Sequence, residues 1–334
     1  MMEGERQTMT HRRGFLLAGA TLLALGGNAQ AQQPGRTYRL GWPSAGAALS
    51  EVYNVAFLQR LGELGFVEGR NLIVEFRSAE GRIEKMPELA AELARLNCDI
   101  YMAPGTEATL AALENATRDA PIVIAANDYD PVATGHIASL SRPGGRITGV
   151  YQLQEELSAK RLELLKELLP KARRIAVLAD AATKRQLVVV QAAAKRLGVE
   201  LVVHEFQSAP YDYEAAFAGF TRAKADALLP LGSGLFVPAR KKIPELALKH
   251  RLPGMYNNAL WADAGGLLAY GVNFPAAYRR AAEMMAMILN GKQPAEIPVE
   301  QSTTFDLVIN TPVAKALGVS IPQGIMLRAN RLIE

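Results

Sequence analysis

Cysteine is almost missing from this chain. Among 334 residues only Cys98 occurs, so no disulfide can close within the molecule. The small-residue stretch Ala29-Gln30-Ala31 is followed by Gln32 rather than cysteine, so no lipid-anchoring thiol is expected at a cleavage point there. Histidine is scarce too. His11, His136, His204 and His250 are scattered, and with Cys98 they offer no zinc-binding spacing. No Gly-x-Gly-x-x-Gly follows a strand pattern, Gly232-Ser233-Gly234 lacks the third glycine, and no phosphate loop ending in Gly-Lys-Ser/Thr exists. Gly41-Trp42-Pro43-Ser44-Ala45-Gly46 has the wrong spacing for a nucleophile elbow. Catalytic residues, cofactor and metal are therefore all expected to be none. Charge of one sign is not concentrated either: 37 Lys and Arg against 33 Asp and Glu are spread along the chain, with a net charge of +4. Without a dense basic block, nucleic-acid binding is not expected. After the N-terminal segment no stretch approaches the roughly 18 uninterrupted apolar residues of a membrane span.

What is present begins with an export signal. Arg12 and Arg13 precede an apolar run from Phe15 to Leu25, and Ala29-Gln30-Ala31 supplies a small-x-small exit. Residues 1–31 thus read as a signal peptide cleaved after Ala31, leaving a mature protein in a periplasm. The paired arginines with Phe15 and Leu16 resemble a twin-arginine signal; an ordinary Sec signal holding two arginines is the alternative. The composition, 49% hydrophobic and 21% charged, is that of a globular chain long enough for two domains. Cys98, at the entry to a strand pattern, reads as a buried structural thiol.

From Tyr38 onward, short apolar strands alternate with helical patterns of ten to fifteen residues, the mark of a parallel sheet covered on both faces. Strands are expected at Tyr38–Trp42, Leu72–Phe76, Ile100–Ala103 and Ile122–Ala125, and again at Ile175–Leu178, Leu201–His204, Ala227–Leu231 and Gly254–Tyr256. The halves resemble each other. Leu72–Ala79 parallels Leu201–Ala209, Asp99–Met102 parallels Asp226–Leu229, and in each half a glycine with Thr or Ser opens the next helix: Gly105-Thr106 and Gly232-Ser233. The fold class is α/β: two doubly wound parallel-sheet lobes with a ligand cleft off the carboxyl ends of their strands. Thr106 then either caps its helix or, with free N–H groups, helps bind an anion such as a carboxylate. Asn127-Asp128-Tyr129-Asp130-Pro131 is a polar cluster at a strand end. It can form a turn, contact a ligand amine or do acid–base work.

Several stretches carry a resemblance. They include Leu61–Asn71, Asp130–Ala133, Ser139–Gly145, Thr148–Val150, Lys160–Pro170, Ala264–Gly266 and Phe305–Asn310, with Arg142-Pro143-Gly144-Gly145 and Leu307-Val308-Ile309-Asn310 the most specific. With them the chain resembles the family of ABC-transporter substrate-binding proteins that includes the tryptophan-binding TrpX-type proteins. The resemblance implies a type I periplasmic-binding-protein fold with three interlobe crossovers. Lobe one would be 38–151 plus 273–298, and lobe two 153–272 plus 299–334. It implies a monomer that closes on a small-molecule ligand, first an amino acid or similar carboxylate, and docks on an ABC permease in the inner membrane. Ligand contacts carried over are Ser44, Thr106, Asp128 and Asp130 from lobe one, and Asp180, Ser233, Tyr256 and Asn257 from lobe two. The alternative role is a periplasmic ligand-sensing input for a signalling receptor. An exported α/β enzyme would need a reactive constellation that the sequence does not show.

Overall fold

The computed structural model describes residues 35–208 and 210–334, so the expected export signal and its cleavage point lie outside the described residues. The chain first builds one lobe: β1 (Tyr38–Ser44), α1 (Val52–Glu63), β2 (Leu72–Ser78), α2 (Met86–Arg95), β3 (Ile100–Gly105), α3 (Glu107–Ala116), β4 (Ile122–Asn127) and β5 (Ile147–Gln152). It crosses and builds a second: α4 (Gln154–Leu168), β6 (Arg174–Asp180), α5 (Lys184–Leu197), β7 (Glu200–Phe206), α6 (Tyr213–Arg222), β8 (Ala227–Pro230), α7 (Lys242–Lys249), β9 (Met255–Tyr256), α8 (Ala259–Asp263) and β10 (Leu268–Val272). It returns with α9 (Phe274–Leu289) and β11 (Glu300–Gln301). It ends in the second lobe with β12 (Phe305–Asn310), α10 (Thr311–Leu317), α11 (Gln323–Met326) and β13 (Arg331–Ile333).

The first sheet has the order β11-β5-β4-β3-β1-β2 with every pair parallel. The second runs β7-β6-β8, then through a bridge between Leu228 and Gly254 into β9-β10-β12-β13. Matched by position, β6, β7, β8, β9 and β10 repeat β1, β2, β3, β4 and β5, so the half-repeat of the sequence is a repeat of topology. Both halves have the doubly wound order 2-1-3-4-5. Each sheet is apolar on both faces and carries a hydrophobic cluster on each, as parallel sheets require.

Two features depart from a plain parallel reading. β10 and β12 are antiparallel, because the chain re-enters the second lobe from the other side after its excursion through α9 and β11. Glu300 and Gln301, on the lobe-two side of the boundary expected at 299, pair with Val150 and Tyr151 and so extend the first sheet. The third crossing therefore follows β11, at 302–304. Three strands cross between the lobes side by side, tied by Ser302 N–H to Tyr151 O (2.9 Å) and Asn273 N–H to Thr304 O (2.9 Å). Gly149 sits where the sheet tolerates no side chain: at φ 139° a Cβ would lie 2.1 Å from Ile124 O. Cys98 is buried, and that burial pushes its thiol up to about 11. Among the described residues no helix is long and apolar enough to cross a membrane.

Candidate functional site

In a doubly wound sheet the strand order reverses between the first and third strands, and the loops leaving those two strands splay apart to open a crevice. In the first lobe those loops follow Ser44 and Gly105; in the second they follow Asp180 and Pro230. Ser44, Thr106, Asp180 and Ser233, from four distant stretches, are thereby placed at the two switch points.

Their side chains do different things. The Ser44 hydroxyl donates to Ala47 O (2.8 Å) and, with Asn54 Nδ2 on Ala48 O (2.7 Å), ties down the loop after β1. Thr106 occupies the N-cap position of α3 with extended backbone (φ −81°, ψ 163°), yet its side chain makes no capping bond. Its Oγ1 is buried and has no hydrogen-bond partner. Beside it the N–H groups of Glu107 and Ala108 open α3 without an intrahelical acceptor, whereas Thr109 N–H donates to Thr106 O (3.1 Å), and the helix dipole adds partial positive charge there. Glu107, the first residue of α3, is engaged by His136, with Oε1 and Nε2 3.2 Å apart.

Across the gap, Asp180 is almost wholly buried at 1% exposure. Its Oδ1 accepts from Ala182 N–H (3.0 Å) and its Oδ2 accepts from the Ser233 hydroxyl (2.5 Å). Ser233 also accepts from Leu235 N–H (3.1 Å), so it is an actual helix cap where Thr106 is not. Tyr211 stacks on Phe206 (centroids 4.4 Å apart, planes 9° apart). Its phenol is pushed up by burial and by the Asp180 carboxylate. The second lobe thus offers a buried acid ringed by hydroxyls, and the first an uncharged donor at a helix start.

The remaining carried-over residues have other surroundings. Asp130 accepts from Val132 N–H (2.8 Å) and Ala133 N–H (3.3 Å), closing the turn that begins at Pro131. Tyr256 is 1% exposed and stacked on Trp261. Its ring fills the space that Cβ atoms on Gly254 and Gly266 would take, so it belongs to the core of the second lobe. Asn257 is half-buried at the end of β9, with Oδ1 3.4 Å from Asn258 Nδ2.

Asp128 lies beside the first crossing between the lobes, its N–H donating to Gln152 O (2.8 Å). It adopts a left-handed backbone (φ 65°), and its two carboxylate oxygens accept from Gln154 N–H (3.0 Å) and Gln186 Nε2 (2.8 Å). Sequence reasoning missed Gln154, Arg161 and Gln186, which surround it from the second lobe. The signal was a polar residue on an otherwise apolar helix face: Gln186 heads the buried stripe Val190, Ala193 and Ala194, and Arg161 stands beside Leu162, Leu164 and Leu165.

A cavity of about 260 Å³ lies between the lobes near the crossing strands. Val52, Phe274 and Pro275 line it from the first lobe, and Asn258, Leu260, Asp306 and Arg331 from the second. The lobes also touch through a two-pronged ion pair, Arg240 NH1 and NH2 to Glu51 Oε2 and Oε1 (3.1 and 3.3 Å).

Comparison with known proteins fits this geometry. A family model described as ABC transporter substrate binding protein matches residues 46–333. A tyrosine-binding protein of Clostridioides difficile (strain R20291) is 28% identical over 265 residues, covering 78% of this chain and 75% of that protein. Among solved structures, a conserved domain protein from Vibrio cholerae has 24% identity and a TM-score of 0.78, covering 89% of this chain and 100% of that one. An ABC domain from Streptococcus pneumonia in complex with L-Trp has 23% identity and a TM-score of 0.74, covering 88% of this chain and 100% of that one.

Proposed function

Because the chain belongs to the ABC transporter substrate binding protein family, whose members are binding proteins and not enzymes, we propose that it captures an amino acid between its lobes and presents it to a membrane permease for import. The observation that carries the amino-acid reading is Thr106. A buried hydroxyl without a partner is costly to leave so, by about 1–3 kcal/mol, and a ligand carboxylate at the start of α3 relieves that cost. The donors there are neutral, so the carboxylate end of the ligand forms no buried ion pair. The ammonium group of the same ligand finds its counter-charge at Asp180, held in place by Ser233 and Ala182. The tyrosine-binding and tryptophan-complexed relatives support a ligand of this class. Capture takes place in the periplasm, which the N-terminal segment suits.

Calorimetric titration of the chain from Gln32 onward with the twenty amino acids tests the reading. Binding is expected for a subset with apolar or aromatic side chains, and amidating the α-carboxylate should abolish it. No heat from any amino acid would overturn it. Loss of uptake of the bound amino acid on deleting the gene tests import.

A further inference from the structure

Gln186 has all four hydrogen-bonding positions of its side-chain amide in use, and it is 0% exposed. Nε2 donates to Asp128 Oδ2 (2.8 Å) and to Gly232 O (2.9 Å). Oε1 accepts from Gly232 N–H (2.9 Å) and from the Ser158 hydroxyl (2.9 Å). Three of these bonds stay inside the second lobe. The fourth reaches the first lobe, because Asp128 follows β4. Gly232 immediately precedes Ser233, so the residue that Gln186 grips from both sides belongs to the loop facing the cleft.

A second observation points the same way. Arg161 is 0% exposed. It donates to Tyr270 O (2.7 Å), Gln154 Oε1 (2.6 Å) and Ser158 Oγ (3.1 Å), with no carboxylate among these partners. Burial pulls its guanidinium below the ordinary value, and the charge of Asp128 opposes that pull. The counter-charge of a buried cation in the second lobe is therefore carried by the first lobe. Gln154 and Ser158, both bonded to Arg161, also belong to the network that meets Asp128. When the lobes part, Gln186 loses one partner and Arg161 loses its neutralising charge, and both losses oppose opening.

We propose that Gln186 is a positioning residue which couples lobe closure, sensed at Asp128, to the shape of the Gly232–Ser233 loop. The proposal rests on closure around a ligand as read above, but it acts without ligand being present, which separates the two. In Q186E a carboxylate faces both Asp128 and Gly232 O, so the ligand-free chain should scatter X-rays with a larger radius of gyration than wild type. D128N leaves one acceptor oxygen for the two donors, Gln154 N–H and Gln186 Nε2, and removes the counter-charge of Arg161, with the same expected direction. The double variant Q186E/D128N restores one donor–acceptor pair with its polarity reversed and returns the charge beside Arg161. Its radius should fall back part of the way toward wild type. Titrated with L-tyrosine and L-tryptophan, Q186E should bind whichever of them wild type binds about 10-fold more weakly or worse, and the double variant should recover part of that loss. An unchanged ligand-free radius in D128N, at a half-buried position that should tolerate the isosteric amide even where Q186E fails to fold, would overturn the proposal. So would a double variant no closer to wild type than Q186E. If neither amino acid binds wild type while the radii behave as stated, the coupling stands and the ligand class falls.

Discussion

Thr106→Val separates a residue that serves the fold from one that serves the ligand. Valine keeps the branched shape and replaces the hydroxyl by a methyl. In this structure the hydroxyl makes no capping bond and has no partner. Removing it should therefore cost none of the roughly 1 kcal/mol that a working Thr cap contributes. Relief of an unpaired buried hydroxyl should leave stability unchanged or raise it by up to about 1 kcal/mol. With ligand bound the balance reverses. The carboxylate loses a donor, and affinity should fall by about 1–3 kcal/mol, or about 5- to 150-fold. Ser233→Ala is the contrast, because Ser233 does cap, through Leu235 N–H, and also donates to Asp180. That variant should lose about 0.5–2 kcal/mol of stability as well as affinity. Urea unfolding gives the first quantity and calorimetric titration the second. A Thr106→Val chain that is less stable by about 1 kcal/mol and binds as wild type would refute the reasoning, since the hydroxyl would then belong to the fold alone.

Other outcomes follow from single contacts. Arg240→Ala, which removes the ion pair to Glu51 across the lobes, should weaken binding by less than about 1 kcal/mol, because the pair is part-exposed, and high salt should shrink the difference between the two chains. Cys98, buried and with its thiol pushed up to about 11, should resist iodoacetamide at pH 8 in the native chain and react fully in urea. Glu63 is held down at about 2 by hydrogen bonds from Arg279 and Arg60. A depressed carboxylate stabilises above its ordinary range and loses that contribution as pH falls from about 4.5 toward 2, so any stability gap to Glu63→Gln at pH 7 should close over that window. Mass spectrometry of periplasmic extract should find a mature N-terminus at Gln32, and a retained Phe15–Leu25 segment would count against export.

The alternation of strand and helix, and the matching of the two halves, were legible because each rests on local pattern. A strand buried on both faces has to be apolar wherever it lies, and the eight strands expected from Tyr38 to Tyr256 all form. The strands β5, β10, β11, β12 and β13 were not read as such. The last three owe their place to returns of the chain across the lobes, which no local window contains. Individual roles were harder to read. Thr106 and Ser233 look alike in sequence, each after a glycine at a strand end, yet one hydroxyl is orphaned and the other is spent on Asp180 and Leu235. Tyr256 stands next to a cleft loop, but the missing side chains of Gly254 and Gly266 give its ring a place in the core.

What the sequence determined by itself was the class of fold and the position of the switch-point loops, since periodicity and turn residues act over a few residues at a time. What only the tertiary structure decided was which polar groups meet. Asp128 finds Gln186 58 positions away, and Arg161 finds Tyr270 109 positions away. A hydrogen bond is set by distance and direction in space, and spacing along the chain carries no record of either once the lobes have folded against each other.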